Sequence, residues 1–127
     1  MEFREKLYYT KEHEWALEDD GLLVIGITDY AQSEMGDVVF VELPEEGSNV
    51  RAGESFGVVE SVKSVSDLYS PVSGEIAEVN GGLESEPELV NSSPFGDGWM
   101  IKIKPGNKSE LEDLMNARQY EEYTKTL

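Results

Sequence analysis

The chain has 127 residues, enough for one domain, and a chain of this size buries about two-thirds of the surface it exposes when unfolded. It holds no Cys and a single His, His13, which excludes disulfides, thiolate metal sites, a Cys nucleophile and any two-histidine zinc centre. Ten Lys and Arg against 27 Asp and Glu give a formal net charge of −17, so the surface repels nucleic acid and anionic lipid, both of which are bound through Lys and Arg.

No stretch free of charged residues exceeds eight residues, far short of the ~20 that a membrane-spanning helix needs. The opening Met1-Glu2-Phe3-Arg4-Glu5-Lys6 has no apolar run behind it. The expectation is a leaderless cytoplasmic protein of a prokaryote, ahead of a mature mitochondrial one. Strong acidity is often a mark of disorder, but two Trp, six Tyr and four Phe stand among repeated Val, Ile and Leu runs and specify a packed core. The bases are unevenly spread: between Glu12 and Ile101 there are 20 acids and two bases, Arg51 and Lys63.

In chain order, Leu22 to Ile27 is a short apolar run bounded by Asp20-Gly21 and Thr28-Asp29, the pattern of a buried strand. Thr28 or Asp29 caps a short helix through Ala31 to Met35, ended by Gly36. Asp37 to Leu43 is a second strand that stops at Pro44. Gly47 and Gly53 mark two tight turns around Val50, which plugs the core. Ser55 to Glu60 and Val65 to Tyr69 read as strands flanking Lys63, and Ser70 to Gly74 as a turn. Glu75 to Val79 alternates like a half-buried strand; Ser85 to Gly98 reads as a loop, and Trp99 to Ile103 closes the β part. Ser109 with Glu112 matches a capping box ahead of Leu111, Leu114 and Met115, and Tyr120, Tyr123 and Leu127 give a second helical stripe, so helices cover the β core at the C-terminus.

Little in this pattern is catalytic. His13 has no Ser or Cys nucleophile in a recognisable setting, and neither G-x-x-x-x-G-K nor G-x-G-x-x-G occurs. Most of the carboxylates read as solvated surface groups, and the two N-x-S matches at Asn91 and Asn107 as accidents. Lys63 is the exception. If the segments around it form a hairpin, its amine stands at the tip between small serines, reachable by another protein. Val62-Lys63 lacks the Asn-Gly or Asp-Gly of a two-residue hairpin turn, which leaves a type I geometry. Glu60 and Asp67 nearby favour the charged amine, so acylation of Lys63 needs an enzyme to desolvate and deprotonate it. The plain alternative is one surface lysine left by chance.

The segment Glu60-Ser61-Val62-Lys63-Ser64-Val65-Ser66-Asp67-Leu68-Tyr69-Ser70-Pro71-Val72-Ser73-Gly74-Glu75 resembles the lipoyl-lysine segment of the glycine cleavage system H proteins. So do His13-Glu14-Trp15, Gly26 to Gln32, Gly36 to Pro44, Pro87 to Ser92 and Gly96 to Trp99. Ser64 stands where the family pattern has Ala. The resemblance implies a mainly β barrel-sandwich hybrid of the lipoyl/biotinyl type, two antiparallel sheets with short helices. It further implies one lipoyl-carrier domain over 1–127, with a core at about 20–104 and a C-terminal helical cover at about 109–126.

The function the resemblance implies is that of a non-catalytic carrier in glycine catabolism and one-carbon metabolism. Lipoate is joined to Lys63 by a lipoate ligase or lipoyltransferase, with Glu60, Ser61, Val62, Ser64 and Asp67 forming the attachment motif. The arm takes an aminomethyl group from the decarboxylase (P-protein), gives it up to the aminomethyltransferase (T-protein) and is reoxidised by dihydrolipoamide dehydrogenase (L-protein). Glu14 and Asp67 match positions lining a cleft into which the loaded arm folds. Such a carrier is expected as a monomer, and its acidic surface favours fast, steered encounters with basic partner surfaces. A biotin carrier is the nearest competitor, but Val62 and Ser64 stand where biotin sites usually have Met; a lipoyl-relay role and a plain acidic interaction domain are the others.

Overall fold

Asp20 and Gly21 both take positive φ, 53° and 82°, and close a two-residue turn between strands β2 (Glu14–Asp19) and β3 (Leu22–Ile27). Asp-Gly is a favoured pair for such a turn because its twist matches that of the flanking strands. The computed structural model, which describes residues 1–127, builds two antiparallel sheets around this hairpin. The remaining strands are β1 (Tyr8–Tyr9), β4 (Val38–Glu42), β5 (Asn49–Val50), β6 (Ser55–Ser61), β7 (Val65–Tyr69), β8 (Gly74–Val79) and β9 (Ile101–Pro105). One sheet has six strands in the order β1-β2-β3-β9-β8-β5, the other three in the order β4-β6-β7.

Between the sheets, Ile25, Ile27, Val41, Val59, Leu68, Ile76, Ile101 and Ile103 form one cluster, with Val50 plugged into it from the turn between Gly47 and Gly53. Each fully buried side chain of this kind stabilises the fold by about 1.5–3 kcal/mol. Helix α1 (Asp29–Met35) starts where Thr28 accepts a hydrogen bond from the Ala31 N–H and ends at Gly36, whose φ of 81° needs no Cβ. The two-sheet fold with short helices is as expected from the sequence.

Three regions depart from the sequence reading. Residues before 20 carry β1 and β2, so the six-stranded sheet begins well inside the N-terminal segment. The stretch Ser85 to Gly98 is no plain loop: it holds the one-turn helix α3 (Leu89–Ser92) with buried Val90, and another, α2 (Gly82–Ser85) with buried Leu83, leads into it. At the C-terminus Ser109 and Glu112 form no capping box. Asn107 instead caps a 3-10 helix (Lys108–Asp113), and the capping box is Asn116 with Gln119, opening α4 (Ala117–Thr124). Asn opens such a box as well as Ser does. No helix is long and apolar enough to cross a membrane.

A second apolar cluster lies outside the sheets, where Leu7, Tyr9, Trp15, Val24, Phe95, Ala117 and Tyr120 meet. Tyr120 of α4 stacks on Tyr9 with ring centroids 4.6 Å apart. Trp15 donates its indole N–H to the carbonyls of Ile27 and Pro94, both at 3.0 Å, and its ring lies over its cross-strand partner Gly26. A Cβ at residue 26 would fall 2.7 Å from the indole. Gly26→Ala is therefore expected to destabilise by about 1–3 kcal/mol, as overpacking does in a filled core. Urea denaturation checks it, through a lowered midpoint with an unchanged slope.

Candidate functional site

The β6–β7 connection is a two-residue turn, Val62-Lys63, between Ser61 and Ser64. The Ser61 N–H donates to the Ser64 carbonyl at 2.8 Å. Neither Val62 nor Lys63 has positive φ, which excludes the primed turns and agrees with the unprimed geometry expected. The turn is closed by a side chain: the buried Ser61 hydroxyl oxygen accepts from the Ser64 N–H at 3.1 Å and from the Lys63 N–H at 3.3 Å. The hydroxyl does what a better turn dipeptide would do with backbone alone.

The tip is also held from the side. The Val62 N–H donates to the Asp37 carbonyl at 3.0 Å. Asp37 lies in the α1–β4 loop, and that loop is fixed by Asn91 of α3. The Asn91 amide oxygen accepts from the Val38 N–H at 2.8 Å, and its nitrogen donates to the Gly36 carbonyl at 2.9 Å and to Gln32 Oε1 at 3.0 Å. Asn91 is thus a half-buried staple, and its N-x-S match has no bearing on glycosylation.

Lys63 is exposed, and its aliphatic stem rests beside Gly36: a Cβ at residue 36 would sit 3.3 Å from Lys63 Cε. The four ion pairs of the chain are Arg4–Glu2, Lys102–Glu78, Lys108–Glu18 and Lys125–Glu122. Lys63 is in none of them, so neither Glu60 nor Asp67 pairs with its amine.

Beside the tip opens a cleft of about 510 Å³. One wall is Ser64, Ser66 and Asp67 of the hairpin; the other is Tyr30, Ala31, Glu34 and Met35 of α1. Ile27, Val59 and Leu68 form an apolar floor, and Glu12, His13 and Glu14 close the end. Four carboxylates and no Lys or Arg line it. Such a cavity suits a flexible apolar chain that ends in a cation.

Glu14 and Asp67, far apart in sequence, line this same cleft, but in different surroundings. Asp67 is exposed at the rim. Glu14 is 2% exposed; it accepts from the Thr10 hydroxyl at 2.7 Å and from the Tyr69 N–H at 3.3 Å. Burial raises its pKa from 4.5 to about 7, against the opposing pull of those two hydrogen bonds. His13, with φ of 71°, turns the chain into β2; its Nδ1 lies 2.8 Å from the Tyr120 hydroxyl, which is also 2.7 Å from Thr28 Oγ1. The C-terminal helix therefore keys the closed end of the cleft. Burial lowers the His13 pKa and raises that of Tyr120.

A raised carboxyl pKa makes the folded state bind more protons than the unfolded one between pH 4.5 and about 7. Its stabilising contribution is complete below the unfolded value and is lost as pH rises through the folded one. Relative to Glu14→Gln, the chain is expected to lose stability over that window, by on the order of 2–3 kcal/mol if the group acts alone. Parallel denaturation curves of the two proteins at pH 4.5 and 7.5 measure it.

The family model for the glycine cleavage H-protein matches residues 7–127. The glycine cleavage system H protein of Oceanobacillus iheyensis is 54% identical over 123 residues, covering 97% of this chain and 98% of the relative. That of Saccharophagus degradans is 58% identical over 120 residues, covering 94% and 92%. The crystal structure of a glycine cleavage system H protein from Mycobacterium marinum superposes with a TM-score of 0.89 at 39% identity, over 96% of this chain and 98% of that one. The chain belongs to the glycine cleavage H-protein family.

Proposed function

We propose that Lys63 is the covalent attachment point for lipoate, and that the chain is the lipoyl carrier serving the P-, T- and L-protein partners of the glycine cleavage system rather than an enzyme itself. One observation carries this reading. An exposed amine with no ion-pair partner stands on a hairpin tip fixed from two sides, next to a cleft shaped for an apolar arm with a cationic end. When bound, the lipoyl group supplies a dithiol–disulfide centre on a long tether.

The residues of this chain have separate tasks. Ser61 fixes the turn, and Val62 and Ser64 leave the amine unshielded. For attachment, the modifying enzyme strips a proton from Nζ, which attacks the carboxyl carbon of adenylated lipoate. The amide C–N bond forms, the C–O bond to AMP breaks, and AMP leaves. Loss of the positive charge frees the Lys63 stem to lie along the apolar floor of Ile27, Val59 and Leu68.

Glu14 and Asp67 hold the cationic end of the load by charge-assisted hydrogen bonds. A cation arriving beside Glu14 favours its carboxylate and opposes the effect of burial, so docking near neutral pH releases a proton there. With no cation present, the half-neutral Glu14 leaves the arm free to depart.

Intact-mass analysis after incubation with lipoate, ATP and a purified lipoate ligase tests the reading. One lipoyl adduct is expected on the wild-type chain and none on Lys63→Arg, with thermal unfolding of the two alike. An adduct that persists on Lys63→Arg, or a wild-type chain that stays unmodified, contradicts it.

A further inference from the structure

The outer face of the β4-β6-β7 sheet carries an alternating pattern of which the carrier reading uses only Glu60 and Asp67. Strand register places Phe40 opposite Glu60 and Glu60 opposite Val65; in the next row it places Glu42 opposite Val58 and Val58 opposite Asp67. Residues directly opposite, and residues two apart on a strand, share one face of a sheet. The six side chains therefore form a grid in which apolar groups and carboxylates alternate along both directions. The face points outward, because Val41 and Val59 between these positions, and Leu68 next to Asp67, are buried.

Two of the three apolar members are well exposed, Phe40 at 47% and Val65 at 68%, while Val58 on the middle strand is half-buried. A register shift between Val38 and Phe40 turns Val39 outward as well, at 52%, and Val62 at the tip is 70% exposed. Four of the six large exposed hydrophobics of the chain thus stand on or beside this face, the other two being the terminal Met1 and Leu127. Clustering of that kind on a strongly charged protein marks an interaction surface.

We infer that this face is the docking surface for the enzyme that acylates Lys63, an inference resting on the assignment of Lys63 above. The complement of the grid is a protein surface that sets apolar side chains among Lys and Arg. Arginine fits best, since its guanidinium pairs with a carboxylate while its plane stacks on an aromatic ring. The geometry selects the acylating enzyme from among the partners. Enzymes that act on the far end of a long arm need not bring their reacting groups to Nζ. The enzyme that forms the Nζ amide must bring its own reacting carbon to the lysine, and its surface then meets Val62, Val65 and the strands behind them.

The test uses the full-length chain and a purified lipoate ligase with lipoate and ATP, following acylation by intact mass at several chain concentrations. Phe40→Ser with Val65→Ser removes the apolar members, and Glu42→Lys reverses a rim charge. Glu121→Lys on exposed α4 is the control for bulk charge. The apolar pair is expected to raise KM about tenfold or more with kcat within about twofold. Glu42→Lys is expected to raise KM about fivefold at low salt, an effect that fades at 0.5 M salt, while Glu121→Lys leaves KM unchanged. The same substitutions on the unmodifiable Lys63→Arg chain should weaken ligase binding in calorimetry by matching factors. Unchanged KM and affinity would overturn the inference, as would equal effects of Glu42→Lys and Glu121→Lys. So would a dimer of the wild-type chain in sedimentation that Phe40→Ser dissolves, since a second copy then covers the face. A wild-type chain that is never acylated removes the Lys63 assignment itself, a result distinct from acylation at an unaltered KM.

Discussion

The hydroxyl of Ser61 accepts two backbone N–H groups at the point where β6 turns into β7, and the presentation of Lys63 depends on it. A two-residue connection between right-twisted strands favours positive φ at both positions, a conformation that Val disfavours strongly. Val62 and Lys63 keep negative φ, and the orphaned amides find a buried side-chain oxygen instead. The Asp37 carbonyl completes the arrangement by accepting from Val62, in a loop pinned by Asn91. Lys63 is thereby mounted on a fixed post, and its backbone presents one geometry to whatever approaches the tip.

Charge and burial divide the work around that post. Most of the 27 acids lie exposed at the surface and give it a strongly negative potential. Glu14 alone is buried, beneath the cleft, with its pKa near 7. Within one cavity Asp67 is exposed at the rim and Glu14 is buried behind it. His13 and Tyr120 hold the closed end of that cavity to the C-terminal helix, which ties a segment more than 100 residues away to the geometry of the site.

Strands were legible from composition and punctuation: Leu22 to Ile27 and Val65 to Tyr69 have the bounds that apolar runs and turn residues predict. The hairpin before Leu22 was signalled too, by Asp20-Gly21, although Glu14 to Asp19 lacks the alternation of a strand because its first three residues are all buried. Other features were beyond reach. Asn91 and Gly36 are 55 positions apart, and the Tyr120 and Thr28 hydroxyls 92, so no local pattern joins them. Ser109 and Glu112 matched the capping pattern, yet the chain there winds as a 3-10 helix and Asn107 takes the cap. The lysine was found from its isolation among acids and its unprimed turn from Val62-Lys63; the Ser61 and Asp37 hydrogen bonds that hold the turn needed coordinates.

A rigid, preformed tip on the unmodified chain is the central physical claim. Nitrogen-15 relaxation of the backbone amides tests it most directly, at Val62, Lys63 and Ser64 against the strands on either side. Order parameters near the ~0.85 of rigid backbone are expected at these three amides. Values below about 0.6 at the tip, with the strands remaining rigid, would mean that the Ser61 and Asp37 hydrogen bonds do not hold the turn, and would contradict it.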